Sequence, residues 1–224
     1  MTKIIIFDVN ETVLNIAALE PEFERIFGHT EVLQNWFLQT LQYSLVANVA
    51  GPYFDFNEIA GAALEMTARR NRASLSEADK KRVLDGMLSL PAHPDVLSSL
   101  ERLRQAGFRL ATLTNSTTPA LKEQLHNAGL EQLFDKNLSV DKIRRFKPAP
   151  ETYEMAAAEL GASIEQICLV SAHPWDVLGA MRAGCDAAFV ARKGQVFYPL
   201  TKKPDITGAD LHEVCQAILR KWSL

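Results

Sequence analysis

Residues 3–14 read KIIIFDVNETVL, in which four consecutive apolar residues, three of them β-branched, precede a carboxylate. Such a run predicts a strand that is buried on both faces, as strands of parallel sheets are. Asp8 stands where this strand should end. Because an open parallel sheet binds ligands outside the carboxyl ends of its strands, Asp8 is placed to face a site. Considered without the rest of the chain, however, Asp8 is more typical of a helix N-cap.

The 224-residue chain is 47% hydrophobic and 23% charged, which is typical of a globular protein with one core and an insertion. Its formal net charge of −3 disfavours nucleic acid or an anionic membrane as the main partner. No apolar stretch approaches the ~20 residues that a membrane-spanning helix requires. The chain starts without a basic leader and apolar run, so we expect no targeting segment.

Three cysteines, Cys168, Cys185 and Cys215, are odd in number and show no C-x-x-C spacing. Cys168 lies in an apolar run and Cys215 in a helical pattern, which predicts buried, inert thiols. Free thiols fit a reducing compartment, so we expect a cytoplasmic location.

Residues 17–88 are rich in Leu, Ala, Gln and Glu, with apolar residues at helical spacing. The dipeptide Gly51-Pro52 breaks this region, and 56–71 is a predicted helix. Ser76, with Asp79 at the third helical position, predicts the N-cap of another helix. A long helical segment therefore follows the first strand before any second strand appears.

From Pro91 onward, predicted strands and helices alternate, which implies a parallel sheet with right-handed crossovers. The predicted strands are 108–114, 138–140, 167–170 and 187–191. The predicted helices include one that starts at Pro94-Asp95, with Val96, Leu97, Leu100 and Leu103 as its apolar stripe, and helices at 119–128, 150–160, 175–183 and 209–222. We predict an α/β fold, a doubly wound parallel sheet (Rossmann-like core) with an inserted helical cap. The expected cap domain is 16–88, and the expected core domain is 1–15 with 89–224.

Polar residues stand at the ends of several predicted strands. Thr114 and Asn115 end one strand, and Lys147, fixed in an extended backbone by Pro148, can reach a shared site. The alternatives stay open for each residue type. A Thr-Asn-Ser sequence is equally typical of an N-cap and turn, and a lone lysine is usually solvated.

In this order the residues resemble the motifs of the haloacid dehalogenase superfamily. Asp8 and Thr12 resemble its first motif, Asp-x-x-x-Thr, while Thr114 with Asn115 resembles the second and Lys147 the third. The resemblance implies that Asp8 is a nucleophile and that the Thr12 hydroxyl orients it.

The fourth motif distinguishes the branches of this superfamily. Its phosphatases end the strand with two acids, four residues apart, which help to hold Mg²⁺. Here Asp176 matches the later acid, but Ala172 occupies the place of the earlier one. Phosphatases also carry a general acid two residues after the nucleophile, where this chain has Asn10, and an amide cannot exchange a proton in that way. Both differences predict a site without a metal ion or other cofactor.

The metal-free branch that the chain resembles, over nearly its whole length, is the type II (S)-2-haloacid dehalogenases. The likeness comprises Trp36 and Tyr43 in the cap, the spacing from Lys147 to Tyr153, the cluster Ser171, His173 and Asp176, and the tail after Val190. That family has Asn in place of His173, Gly in place of Glu11, and Arg in place of Phe37. Because the arginine helps to hold halide and substrate, its replacement bears on substrate range more than on reaction type.

The resemblance implies hydrolytic dehalogenation of short 2-haloalkanoic acids, from (S)-2-haloacid to (R)-2-hydroxy acid and halide, through an ester on Asp8. Lys147 would keep Asp8 ionised, and Asp176 with His173 would handle the hydrolytic water. The predicted catalytic residues are Asp8, Thr12, Lys147, Ser171, His173 and Asp176. The predicted substrate-binding residues are Val9, Asn10, Phe37, Thr114, Asn115 and Tyr153.

Two other functions remain open on the sequence. One is a Mg²⁺-dependent phosphatase of the same superfamily, which a metal-dependence assay would distinguish. The other is a non-catalytic binding protein that kept the fold, although Asp8, Lys147 and Asp176 are all present. The expected partner is a small 2-haloacid, with no nucleic acid and no membrane. A homodimer is compatible with the sequence, which does not determine the oligomeric state.

Overall fold

The computed structural model describes residues 3–222, which form one six-stranded parallel sheet and nine α-helices. The strands are β1 (Ile4–Phe7), β2 (Arg109–Thr114), β3 (Lys136–Ser139), β4 (Ile167–Ser171), β5 (Asp186–Val190) and β6 (Ile206–Gly208). The helices are α1 (Glu20–Phe27), α2 (Glu31–Ala50), α3 (Phe56–Asn71), α4 (Glu77–Gly86), α5 (Val96–Gln105), α6 (Thr118–Asn127), α7 (Pro150–Leu160), α8 (Pro174–Ala183) and α9 (Leu211–Trp222).

The strand order is β3-β2-β1-β4-β5-β6, so β1 lies in the middle of the sheet. All four residues of β1 are buried, as its uninterrupted apolar sequence predicts. The chain moves from β1 outward to β2 and β3, and then returns to place β4 on the other side of β1. This reversal creates a crevice at the carboxyl ends of β1, β2 and β4, where open α/β sheets bind ligands. The predicted doubly wound α/β fold is confirmed.

Helices α1–α4 lie between β1 and β2 in the chain. Helix α3 begins at the capping box of Asp55 and Glu58, and α4 begins at the capping box of Ser76 and Asp79. The predicted N-cap at Ser76 is thus confirmed. Trp36 of α2 is buried and donates a hydrogen bond to the Ala60 carbonyl oxygen of α3 at 2.9 Å, which joins these two helices.

Three details of the predicted elements are wrong. Strand β6 was not predicted, because three residues are too short for a period of two to show and their pairing with β5 defines them. Strand β3 ends at Ser139, and Val140 instead begins a 3₁₀ turn. Leu97 is 50% exposed, because it lies about 100° around α5 from Val96, outside the stripe of Val96, Leu100 and Leu103.

The three cysteines are buried and free, as predicted. Burial raises the pKa of the Cys168 thiol well above its usual value, which makes this side chain inert as a nucleophile. Within residues 3–222, none of the helices combines the length and the apolar character that crossing a membrane demands.

Candidate active site

Four segments bring polar side chains together at the crevice beside β1. Asp8 directly follows β1, Asn115 directly follows β2, and Asp176 lies in the first turn of α8, which follows β4. Lys147 lies between β3 and α7. Asn48 of α2 fixes this last segment, because its side chain exchanges hydrogen bonds of 2.9 and 2.7 Å with the backbone of Phe146.

The Asp8 carboxylate is held by two donors. Its Oδ1 accepts a hydrogen bond from Lys147 Nζ at 2.8 Å, and its Oδ2 accepts one from Thr12 Oγ1 at 2.6 Å. The Thr12 hydroxyl oxygen also accepts a hydrogen bond from the backbone N–H of Ala172 at 2.9 Å. Asp8 is only 5% exposed, so its rotation is restricted from both sides.

Lys147 is fully buried, and its ammonium group has three acceptors. Besides Asp8 Oδ1, these are Asp176 Oδ2 at 2.7 Å and the Leu113 carbonyl oxygen at 2.9 Å. An ammonium group has three N–H bonds, so all of its donors are used. The charge of Lys147 therefore lies between two carboxylates, at a fixed position.

Asp176 is also fully buried, and both of its carboxylate oxygens are engaged. Oδ2 accepts from Lys147, and Oδ1 accepts from the Tyr153 hydroxyl at 2.7 Å. Gly179 lets α8 approach this group closely, because a Cβ there would overlap Pro148 and lie 2.6 Å from the Tyr153 hydroxyl. Tyr153, predicted to bind substrate, thus contacts Asp176.

The three charged groups affect one another's pKa values. Burial raises the pKa of Asp8, but the charges of Lys147 and His173 and the hydrogen bonds to Asp8 outweigh it, so this pKa lies below its usual value. Burial raises the pKa of Asp176, and the charge of Asp8 adds to that rise. Burial lowers the pKa of Lys147, but the two carboxylates raise it above its usual value. Asp8 is therefore a carboxylate at neutral pH.

These residues do not fit a magnesium ion. Mg²⁺ requires several oxygen ligands in octahedral geometry. The Lys147 ammonium lies between Asp8 Oδ1 and Asp176 Oδ2, and Ala172 has no side-chain oxygen to add. The Asn10 side-chain oxygen already accepts a hydrogen bond from Gln124 at 3.0 Å.

Asn115 presents a buried donor toward this site. Its Oδ1 accepts from the Lys147 backbone N–H at 3.0 Å, whereas its Nδ2 has no partner among residues 3–222.

The other predicted binding residues of these strand ends make contacts within the protein. Thr114 Oγ1 accepts from the backbone N–H of Ser116. The Asn10 side chain donates to Ser116 Oγ at 3.2 Å, and the Val9 carbonyl oxygen closes the turn after β1. Of these predicted binding residues, Asn115 has the donor available to a ligand.

Of the remaining predicted residues, His173 lies beside Asp8, Phe37 lies beside His173, and Ser171 ends β4. His173 Nε2 is 3.7 Å from Asp8 Oδ2, and the Phe37 ring is 6.2 Å from the His173 ring between centroids. Phe37 is 2% exposed. Ser171 Oγ accepts a hydrogen bond from the His173 backbone N–H at 3.1 Å. Within residues 3–222, no hydrogen bond joins the Ser171 side chain to Asp8 or Lys147.

A cleft of about 610 Å³ leads from solvent to Glu11 and Phe37, with His93, Arg192 and Lys193 among its lining residues. Sequence reasoning did not place Glu11, Asn48 or Arg192 at the site. For Asn48 and Arg192 no local signal exists, because each acts through contacts with distant segments. Glu11 carried a signal as a departure from the resembled family.

Comparisons with known proteins agree with this geometry. Residues 2–184 match the family model of the haloacid dehalogenase-like hydrolases. The chain is 32% identical to haloacetate dehalogenase H-2 of Moraxella sp. (strain B), over 91% of this chain and 92% of that protein. It is 28% identical to an (S)-2-haloacid dehalogenase of Pseudomonas sp. (strain YL), over 96% of this chain and 93% of that protein.

Solved structures resemble the chain over nearly its whole length. The L-2-haloacid dehalogenase from Xanthobacter autotrophicus, with chloropropionic acid covalently bound, superimposes with a TM-score of 0.90 and 25% identity, over 98% of this chain and 99% of that one. Since the family model matches residues 2–184, well over half of the sequence, the chain belongs to the haloacid dehalogenase-like hydrolase family.

Proposed function

We propose that this protein is a hydrolase acting on carbon–halide bonds, which converts short (S)-2-haloalkanoic acids into (R)-2-hydroxy acids and halide. Its dehalogenase relatives confirm the enzyme class that the sequence predicts. The observation that carries the proposal is the buried Asp8 carboxylate, fixed by Lys147 and Thr12 at the end of β1. The covalent chloropropionic acid of the Xanthobacter structure supports a covalent route.

In the first half of the reaction, Asp8 attacks the carbon that bears the halogen, and halide departs with inversion. The charge of Lys147 keeps Asp8 ionised, so that a carboxylate oxygen is available as the nucleophile. A positioned carboxylate suits this substrate, because the substrate's own carboxylate repels free hydroxide. Residues 16–88 act as the cap that excludes bulk water during this step.

The substrate is an anion, so the site needs donors for its carboxylate or for the departing halide. Asn115 Nδ2 is buried and has no partner in the described part of the chain, and leaving such a donor unsatisfied costs about 1–3 kcal/mol. A bound anion that accepts this hydrogen bond removes the cost. Phe37 adds no charge on the cap side, which restricts productive binding to short substrates.

In the second half, water attacks the carboxyl carbon of Asp8 and releases the hydroxy acid. Asp176 and Tyr153 hold Lys147 in place, so these residues support both halves of the reaction. Ala172 has no ligand oxygen and Asn10 cannot act as a general acid, and these two differences from the phosphatases support a reaction without Mg²⁺. The three buried free thiols support a cytoplasmic location, and a homodimer stays a prediction.

A single turnover with excess enzyme in H₂¹⁸O tests the proposal. Label should appear first in Asp8, found by mass analysis of the peptide that contains it, and the first hydroxy acid released should be unlabelled. Asp8→Asn should abolish halide release, whereas Asp85→Asn, the same change at an exposed helix position, should not alter it. Label that enters the first product directly would show that water attacks the substrate, and the covalent route would be wrong.

A further inference from the structure

Glu11 and His173 approach each other beside Asp8. His173 Nε2 is 3.6 Å from Glu11 Oε2, 3.7 Å from Asp8 Oδ2 and 3.2 Å from the Asn10 carbonyl oxygen. The three oxygen atoms around Nε2 favour the tautomer in which this nitrogen carries a hydrogen. The His173 ring is held in this orientation by stacking on Trp175, at a centroid distance of 5.2 Å.

The backbone of Glu11 presents its side chain to this place. Glu11 adopts φ of +62°, a left-handed conformation that residues with a Cβ rarely adopt. Such strained positions persist where the surrounding structure enforces them, and they concentrate at functional sites. The His93 side chain contacts the Glu11 carbonyl oxygen at 3.2 Å and thereby holds the turn.

Glu11 combines burial with access to solvent. Its side chain is 17% exposed and lines the open cleft, whereas Asp8 and Asp176 are almost completely enclosed. Within residues 3–222, His173 is the one basic side chain within 4 Å of the Glu11 carboxylate. Of these three carboxylates, Glu11 is the one that lines the cleft and can contact water there.

Asp176 is poorly suited to accept a proton from that water. Its Oδ1 accepts a hydrogen bond from the Tyr153 hydroxyl, and its Oδ2 accepts one from Lys147 Nζ. None of the Asp176 side chain is exposed. Each oxygen keeps a second lone pair, but the adjacent Lys147 ammonium and the complete burial of the side chain disfavour protonation from the cleft. Among residues 3–222, no donor forms a hydrogen bond with the Glu11 carboxylate, whose nearest basic group is His173.

We propose that Glu11 is the general base that activates the water which hydrolyses the Asp8 ester, and that His173 is a positioning residue for the Glu11 carboxylate. This inference rests on the proposed function. Burial raises the pKa of Glu11, which makes its carboxylate a stronger base than an exposed glutamate. The other charged groups on the walls around it are Arg192, Lys193, Glu20 and Glu31.

The water oxygen bonds to Asp8 Cγ while one water proton moves to Glu11. When the bond between Cγ and the substrate-bound oxygen breaks, this proton passes to the departing alkoxide and forms the hydroxyl group. The second water proton leaves Asp8 through Glu11 to solvent in the cleft, which restores the carboxylate.

The decisive variant is Glu11→Gln, which keeps the size of the side chain and removes the base. Mixed with excess chloroacetate, it should release about one halide per enzyme at the wild-type rate. The Asp8 ester should then persist, with its hydrolysis slowed at least 100-fold, a typical contribution of a general base. Intact-mass analysis follows the ester. Glu20→Gln, the same change on the wall of the same cleft, should hydrolyse the ester at the wild-type rate.

Two further variants distinguish chemistry from structure. Glu11→Gly relieves the positive φ and should be folded, yet defective in ester hydrolysis until added formate restores the missing carboxylate. His173→Ala should slow ester hydrolysis more than ester formation, and His173→Gln, which keeps a donor, should recover part of the loss.

The outcomes separate the two proposals. If the wild-type protein forms no ester with any 2-haloacid, the proposed function fails. If the ester forms but Glu11→Gln hydrolyses it at the wild-type rate, or formate does not rescue Glu11→Gly, Glu11 is not the base. If Asp176→Asn retains the ester while Glu11→Gln does not, Asp176 is the base.

Discussion

The Phe37 ring lies against His173 and Phe56, at centroid distances of 6.2 and 6.5 Å, and also contributes to the lining of the cleft. A ring in this place excludes water but cannot donate a hydrogen bond to a carboxylate or a halide. Anion binding then depends on donors of the core, chiefly Asn115. An arginine would bring a fixed charge and up to five donors to the same wall.

We therefore expect Phe37→Arg to raise kcat/KM for chloroacetate about tenfold, because a hydrogen bond from a charged group contributes about 1.5 kcal/mol or more. Steady-state halide release measures the change. Phe37→Leu is the control, since it removes the ring without adding a charge and should not raise kcat/KM. Loss of activity in a folded Phe37→Arg protein would instead show that the aromatic wall itself selects the substrate.

Among the elements, one ion pair joins segments that are far apart in the chain. Asp95 Oδ2, at the start of α5, accepts hydrogen bonds from Arg192 and from the backbone N–H of Leu211 at the start of α9, both at 2.6 Å. Arg192 follows β5 and also donates to the Thr12 carbonyl oxygen at 2.9 Å. This pair thus connects α5 and α9 to the turn that carries Thr12.

Asp95→Ala should lower the free energy of unfolding by about 3 kcal/mol, because it leaves the largely buried Arg192 charge without its partner. Urea denaturation at pH 7 measures this loss. Asp210→Ala, which removes only the cap of α9 at the Glu213 backbone N–H, should cost about 1 kcal/mol. Equal effects of the two variants would mean that the ion pair adds nothing beyond a helix cap.

The same pair predicts how this loss depends on pH. Burial raises the pKa of Asp95, but the hydrogen bonds from Arg192 and Leu211 outweigh it and hold this pKa below 3.8. A lowered folded-state pKa contributes stability above the unfolded pKa of about 3.9, and the contribution disappears as pH falls through the folded value. The difference between wild type and Asp95→Ala should therefore shrink below about pH 4.

For the whole molecule, the residues at positions 10 and 172 predict independence of metal ions. Activity on a 2-haloacid should survive exhaustive chelation within about twofold, because Ala172 provides no ligand oxygen and Asn10 no general acid. A generic phosphate ester should not be hydrolysed. A Mg²⁺-dependent phosphatase in the same buffer must lose its activity as the control. Recovery of a chelated, inactive preparation with Mg²⁺ would favour the phosphatase function instead.

Helices and strands with strong local sequence signals were predictable from the sequence. Helix α7 spans 150–160 as expected, because Pro150 suits the first helical turn and Gly161 takes the left-handed conformation at the end. The apolar run of β1 and the capping box at Ser76 are equally local. Strand β6 has no such signal, since only its pairing with β5 makes it a strand.

The sequence by itself determined the alternation of strands and helices, the helical insertion after β1 and the residue types at the strand ends, since each depends on neighbours within a few positions. The tertiary structure alone decided which of these residues meet. Lys147 reaches Asp8 across 139 positions, and Glu11 lies beside His173 across 162. No local period encodes such pairs, because they follow from strand order, loop course and side-chain direction. For the same reason, only the folded molecule shows Asp176 with both oxygens engaged and Glu11 facing the cleft.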